Sequence, residues 1–162
     1  MRAAESATPA FFLDTNILVY AFSAQDPAKR ETARTLAEAE GAHVSTQVLS
    51  ELANVLTRRF GMSARETRQR ILNIANACEV VQITPAIVLD ALRIMERFRF
   101  GFFDSQIIAS ALSASTPVLY TEDLHHDQVI DGSLTIRSPF AMRAEQVRRR
   151  YKSGARAAGA RA

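Results

Sequence analysis

The sequence holds one cysteine, Cys78, in 162 residues. No internal disulfide can form, so the fold must rest on its core, as is usual in a reducing compartment. Cys78 has no histidine or cysteine at ligand spacing, and it is read as a small core residue. No apolar run approaches the roughly 18 residues that a spanning helix needs. Residues 10–24 resemble the core of a signal peptide, but Asp14 and Asn16 interrupt them and Glu5 precedes them. A leader peptide is therefore not expected, and the expected location is cytoplasmic. There is no internal repeat, and apart from the adjacent pair His125 and His126 no histidine or cysteine lies near the acids discussed below. A zinc centre is not expected, and the two histidines are read as loop residues.

The length suits one domain, and 48% apolar residues are enough for a core. The net charge of +3 is unevenly distributed. Residues 1–140 carry 13 Lys and Arg against 16 Asp and Glu, while residues 141–162 carry 7 against 1. The body is mildly acidic, and the basic character belongs to the tail. Residues 1–9 are read as a flexible N-terminus, 10–140 as the folded domain, and 141–162 as a basic Arg/Ala-rich tail, partly disordered. Such a tail can attract phosphate without specificity, or it can merely aid solubility.

The ordered part alternates short apolar runs with amphipathic stretches. Strands are expected at 10–13, 42–45, 79–83, 117–120 and 134–136. Helices are expected after Asp14, at 28–40, 47–60, 63–77, from Pro85, and from about Asp104. Pro27 suits a first helical turn, and Ser63 with Glu66 forms a capping box. This pattern predicts an α/β fold: one domain with a central parallel sheet of four to five strands and helices on both faces.

Four acids stand out. Asp14 ends the first strand, at the sheet edge where open α/β folds bind ligands. Glu51 lies on the buried stripe that Val48, Leu52 and Val55 define. Asp104 begins the stripe of Ile107, Ile108 and Ala111, in the first turn of its helix. Asp123 follows the strand at 117–120. Taken one at a time, each has an ordinary reading as a helix cap, a dipole partner or a surface acid. Together they would form a cluster of like charge that only a hard cation relieves. Mg²⁺ takes oxygen ligands of this kind and can activate a phosphodiester.

The ordered set resembles the PIN-domain ribonucleases, and more narrowly the VapC-type toxins of VapBC toxin–antitoxin pairs. Phe12-Leu13-Asp14-Thr15-Asn16-Ile17 carries the opening motif, Ser50-Glu51-Leu52 the second acid, and Phe103-Asp104-Ser105-Gln106-Ile107-Ile108-Ala109 the third. Tyr120-Thr121-Glu122-Asp123 carries the Thr-x-Asp ending. The resemblance implies a PIN-like domain and a Mg²⁺- or Mn²⁺-dependent endoribonuclease leaving 5′-phosphate and 3′-hydroxyl ends. Asp14, Asp104 and Asp123 would hold metal, with Glu51 holding metal or orienting water. Asn16 would fix the Asp14 carboxylate, and Thr121 would bond a neighbouring acid or a phosphate. It also implies an RNA substrate, a cognate antitoxin, a homodimer and no membrane. Glu122 is expected to point to solvent, with Asp127 a further acid nearby. Arg97 and Arg99, shortly before Asp104, are candidate RNA contacts.

Two rival readings remain. A phosphatase of the haloacid-dehalogenase kind needs a second Asp where this chain has Asn16. A non-catalytic RNA-binding or protein-interaction module would carry the same acids in a degenerate or structural role.

Overall fold

A computed structural model of the chain describes residues 8–141. The expected flexibility of residues 1–7 and of the basic tail from residue 142 onward falls outside the described residues.

The sheet begins with β1 (Phe11–Leu13), whose three residues are all buried. Asp14 stops the strand and caps α1 (Thr15–Phe22), its side chain accepting from the Thr15 N–H. Asp26 and Pro27 start α2 (Pro27–Glu38), as a capping acid followed by a first-turn proline should. Next come β2 (Ala42–Ser45) and α3 (Thr46–Arg58), the latter capped by Ser45. Ser63 and Glu66 form the expected capping box of α4 (Ala64–Ala77). After β3 (Glu79–Val81), Thr84 and Pro85 open α5 (Pro85–Phe98). Arg99 ends α5 in a left-handed conformation, φ 63°, which turns the chain sharply into α6 (Phe102–Ser113). Then follow β4 (Val118–Tyr120), β5 (Val129–Ile130) and β6 (Leu134–Arg137).

The strand order is β3-β2-β1-β4-β6-β5. All neighbours run parallel except β5 and β6. The sixth strand, beyond the expected four or five, is the two-residue β5 folded back on β6. From β1 the chain steps one way to β2 and β3, then returns to the other side of β1 with β4. Parallel crossovers are right-handed, so α1–α4 cover one face and α5–α6 the other. The reversal leaves a crevice between the carboxyl ends of β1 and β4, which is where such folds bind ligands.

The core is continuous through the sheet. Phe12, Leu13, Val44 and Leu119 from the strands are fully buried, as are Ile17, Leu18, Leu52, Leu56, Ile94 and Ile108 from the helices. Cys78 belongs to this core, its thiol against the Ala37 carbonyl, and burial pushes that thiol up to about 11. Helix α6 departs from a simple stripe, being buried without a break from Ser105 to Ala111. Serine and alanine on its second face allow this close approach.

Phe12→Ala would empty the middle of the sheet. The expected loss is about 3–5 kcal/mol of unfolding free energy, read as a shifted midpoint in urea denaturation at unchanged slope.

Candidate active site

The four acids singled out in the sequence line one cavity of about 390 Å³. Each arrives from a different element. Asp14 comes from the end of β1, Glu51 from α3, Asp104 from the first turn of α6 and Asp123 from the loop after β4. Gly101 precedes α6 as its N-cap and gives no side-chain cap bond. A Cβ at Gly101 would stand 3.4 Å from Oδ2 of Asp104, so glycine there leaves that carboxylate room.

A network of neutral donors holds the acids in place. The Thr15 N–H donates to Asp14 Oδ1 at 2.6 Å, and the Thr15 hydroxyl donates to Glu51 Oε2 at 2.7 Å. Thr121 donates its hydroxyl to Asp14 Oδ2 at 2.7 Å. Asn16 Nδ2 shares its hydrogens among Asp14 Oδ2, Thr121 Oγ1 and Asp123 Oδ2, at 3.2, 3.0 and 2.9 Å. The Asp123 N–H closes the loop onto Thr121 Oγ1 at 3.2 Å. Consecutive residues thus reach opposite ways from Asp14, Thr15 toward Glu51 and Asn16 toward Asp123.

Gln47 and Gln106 take part in this network although nothing in the sequence singles them out. Gln106 Nε2 donates to Gln47 Oε1 at 2.6 Å, and Gln47 Nε2 donates to Glu51 Oε1 at 2.7 Å. Both carboxylate oxygens of Glu51 therefore face donors. Gln47 Nε2 also contacts the Phe103 carbonyl at 3.3 Å, joining α3 to the start of α6.

Other expectations change. Glu122 does not point to solvent: it forms an ion pair with Lys29 of α2. The Lys29 ammonium also lies over the rings of Tyr20 and Phe140, at 4.6 and 4.8 Å. Pairing across this aromatic pair turns Glu122 away from the cavity, while Asp123 faces it. Asp127 lies near His126 and Arg137 and does not line the cavity. The structure does not bring Arg97 or Arg99 to the cavity either. Arg97 pairs with Asp131 at 3.0 Å, because the left-handed turn at Arg99 separates its helix from the start of α6.

Charge at the site is not neutralised by the protein. Among the described residues no Lys, Arg or His forms an ion pair with Asp14, Glu51, Asp104 or Asp123. Burial pushes the Asp14 carboxyl up to about 6, against the lowering effect of bonds from Thr121 and Thr15, with Glu51 and Asp123 adding repulsion. The Asp104 carboxyl is raised too, first by burial and then by Asp123 and Glu51. An all-oxygen, uncompensated donor set of this kind fits a hard divalent cation. Among the described residues, no group of three or more His, Cys, Asp or Glu side chains is close enough together to hold a metal ion as it stands. The four acids share the lining of one cavity, and Mg²⁺ needs only one or two direct carboxylates because it keeps several of its waters.

Comparison with known proteins places the geometry in a class and then in a family. The fold is similar to that of solved toxins and toxin–antitoxin complexes. VapC20 of Mycobacterium tuberculosis, described as a sarcin-ricin loop cleaving toxin, aligns with a TM-score of 0.58 at 21% identity, covering 70% of this chain and 90% of that one. A toxin–antitoxin complex from Klebsiella pneumoniae gives 0.60 at 20%, covering 80% and 97%. DNA-bound VapBC from Salmonella typhimurium gives 0.60 at 20%, covering 82% and 99%. The PIN domain profile matches residues 11–131, and the chain belongs to the PIN domain family. Among curated proteins, none matches the sequence.

The raised Asp14 has a consequence for stability. Its folded pKa, about 6, exceeds the ordinary 3.8, so between these values the folded state binds more protons. Stability of the metal-free protein should therefore fall as pH rises from about 4 to above 6, by on the order of 3 kcal/mol. Asp14→Asn removes the ionisation, so its melting temperature should stay flatter across the same range. Thermal melts in EDTA at several pH values check both.

Proposed function

We propose that this protein is a Mg²⁺- or Mn²⁺-dependent endoribonuclease and the toxin of a VapBC-type pair. The observation that carries the reading is the meeting of Asp14, Glu51, Asp104 and Asp123 around one cavity at the sheet's switch point, with no ion pair to any of them among the described residues. Asp14, Asp104 and Asp123 would hold the metal. When bound, the ion supplies Lewis acidity toward a phosphoryl oxygen and balances the charge of the acids.

The chain's own residues account for the rest. Thr121 and the Thr15 N–H fix the two oxygens of Asp14, one each. Asn16 spans from Asp14 to Asp123, holding two acids of like charge at a set separation. Glu51, held by Thr15 and Gln47, would hold metal or orient the attacking water. Lys29 and Glu122 anchor the loop that presents Asp123.

Relatives of the fold support the biological assignment. One is described as a sarcin-ricin loop cleaving toxin, and others were solved as a toxin–antitoxin complex and as DNA-bound VapBC. On this reading the partners are RNA, a cognate antitoxin and a second copy of the chain, and the location is cytoplasmic. Among the described residues no helix is long and apolar enough to cross a membrane.

Purified protein free of antitoxin should cut cellular RNA at discrete positions with Mn²⁺ and should stop cutting in EDTA. Asp104→Asn should lower the rate by at least about a hundredfold, with new 5′ ends counted by sequencing. A wild type that cuts no RNA with either metal refutes the proposal.

A further inference from the structure

The lining of the cavity holds residues that the acids do not explain. Tyr20, Val55, Arg59, Phe60, Phe103 and Ile107 line it beside the four carboxylates. Three of these six side chains are aromatic and one is cationic. Its volume, about 390 Å³, falls in the range of roughly 300–1,000 Å³ typical of small-molecule sites.

Phe103 is the unusual member. Its side chain is 64% exposed although it directly precedes Asp104. A single exposed apolar residue is ordinary on a protein surface. This one is held firmly. Its ring meets Phe102 edge-on at 5.5 Å, and Phe102 packs on the core. Its carbonyl accepts from Gln47, the residue that also holds Glu51. Its backbone is thus tied to the residue that bonds Glu51. Tyr20, by contrast, is occupied, packed on Phe140 and bonded to Lys29.

Arg59 is the basic residue among those lining the cavity. It caps α3 through its backbone N–H and forms no ion pair among the described residues. The acids repel phosphate, whereas a guanidinium in the same lining attracts it. Stacking surfaces next to a phosphate contact are the means by which proteins hold unpaired nucleotides.

We infer that the Phe103 and Phe60 rings, with Arg59, form a subsite for one unstacked nucleobase of single-stranded RNA and its phosphate, next to the bond that is cut. The inference rests on the nuclease reading for the identity of the nucleic acid. Every base has a flat face, so the subsite selects for unpaired structure more than for sequence. Base-paired RNA keeps its bases stacked and cannot enter.

The test uses the full chain carrying Asp104→Asn and a short single-stranded RNA containing 2-aminopurine. Binding should quench the fluorescent base by stacking. Adding Phe103→Ala should remove the quench and weaken binding about tenfold. Adding Arg59→Ala should keep the quench and lower the salt dependence of binding by about one phosphate contact. Both side chains are exposed, so folding should be unaffected, and circular dichroism verifies this. Unchanged quench and affinity in Phe103→Ala overturn the inference, as does a parent that binds no single-stranded RNA. Unchanged RNA binding with altered sedimentation would also overturn it and would assign the ring to a protein contact. Cleavage by the wild type is scored separately. A wild type that cuts, with a quench independent of Phe103, defeats only the subsite. A wild type that never cuts, with a quench that needs Phe103, defeats only the nuclease.

Discussion

The structure is arranged around a buried acid, Asp14, that has no positive partner among the described residues. Asp14 is 6% exposed and sits between a strand and a helix that are both needed for the core. A carboxylate in that position would be very costly if bare. Hydrogen bonds from Thr15, Asn16 and Thr121 lower the cost without cancelling the charge. Burial still leaves the Asp14 carboxyl raised to about 6. Such a site attracts cations, as the proposed metal role requires.

The fold supplies this arrangement cheaply because of its topology. With β1 flanked by β2 on one side and β4 on the other, the loops after β1 and β4 diverge and leave a crevice. Asp14 and Asp123 come from those two loops. Glu51 and Asp104 come from helices on opposite faces of the sheet, and the Gln106–Gln47 bond joins those helices across the edge. Four acids distant in the chain therefore meet without any long or irregular segment. The same convergence sets Phe103 and Arg59 beside them, so the chemistry and the proposed grip on substrate share one framework.

Much of this was legible in the sequence, for local reasons. Asp14 interrupts an apolar run, Glu51 and Asp104 fall on apolar helix stripes, and Thr121 precedes an acid at a strand end. Each is a conflict between residue type and position, and such conflicts mark functional sites. Caps such as Ser63 with Glu66 were legible for the same reason, since their partners lie three residues apart. Gln47 and Gln106 gave no signal, because a polar residue on a helix is ordinary until its partner, 59 residues away, is known. Glu122 was misread because its partner Lys29 lies 93 residues away. Proximity in the chain also misled at Arg97, where one left-handed residue, Arg99, redirects the helix before Asp104 is reached. The two-residue β5 is too short for any alternation to show.

The most direct measurement is a calorimetric titration of Mn²⁺ into wild-type protein, Asp14→Asn and Asp104→Asn, at neutral pH and without RNA. The account predicts saturable binding to the wild type and loss of that binding in both variants, each of which remains folded. A wild type that binds no Mn²⁺, or variants that bind it as the wild type does, would contradict the claim that these acids form a metal site.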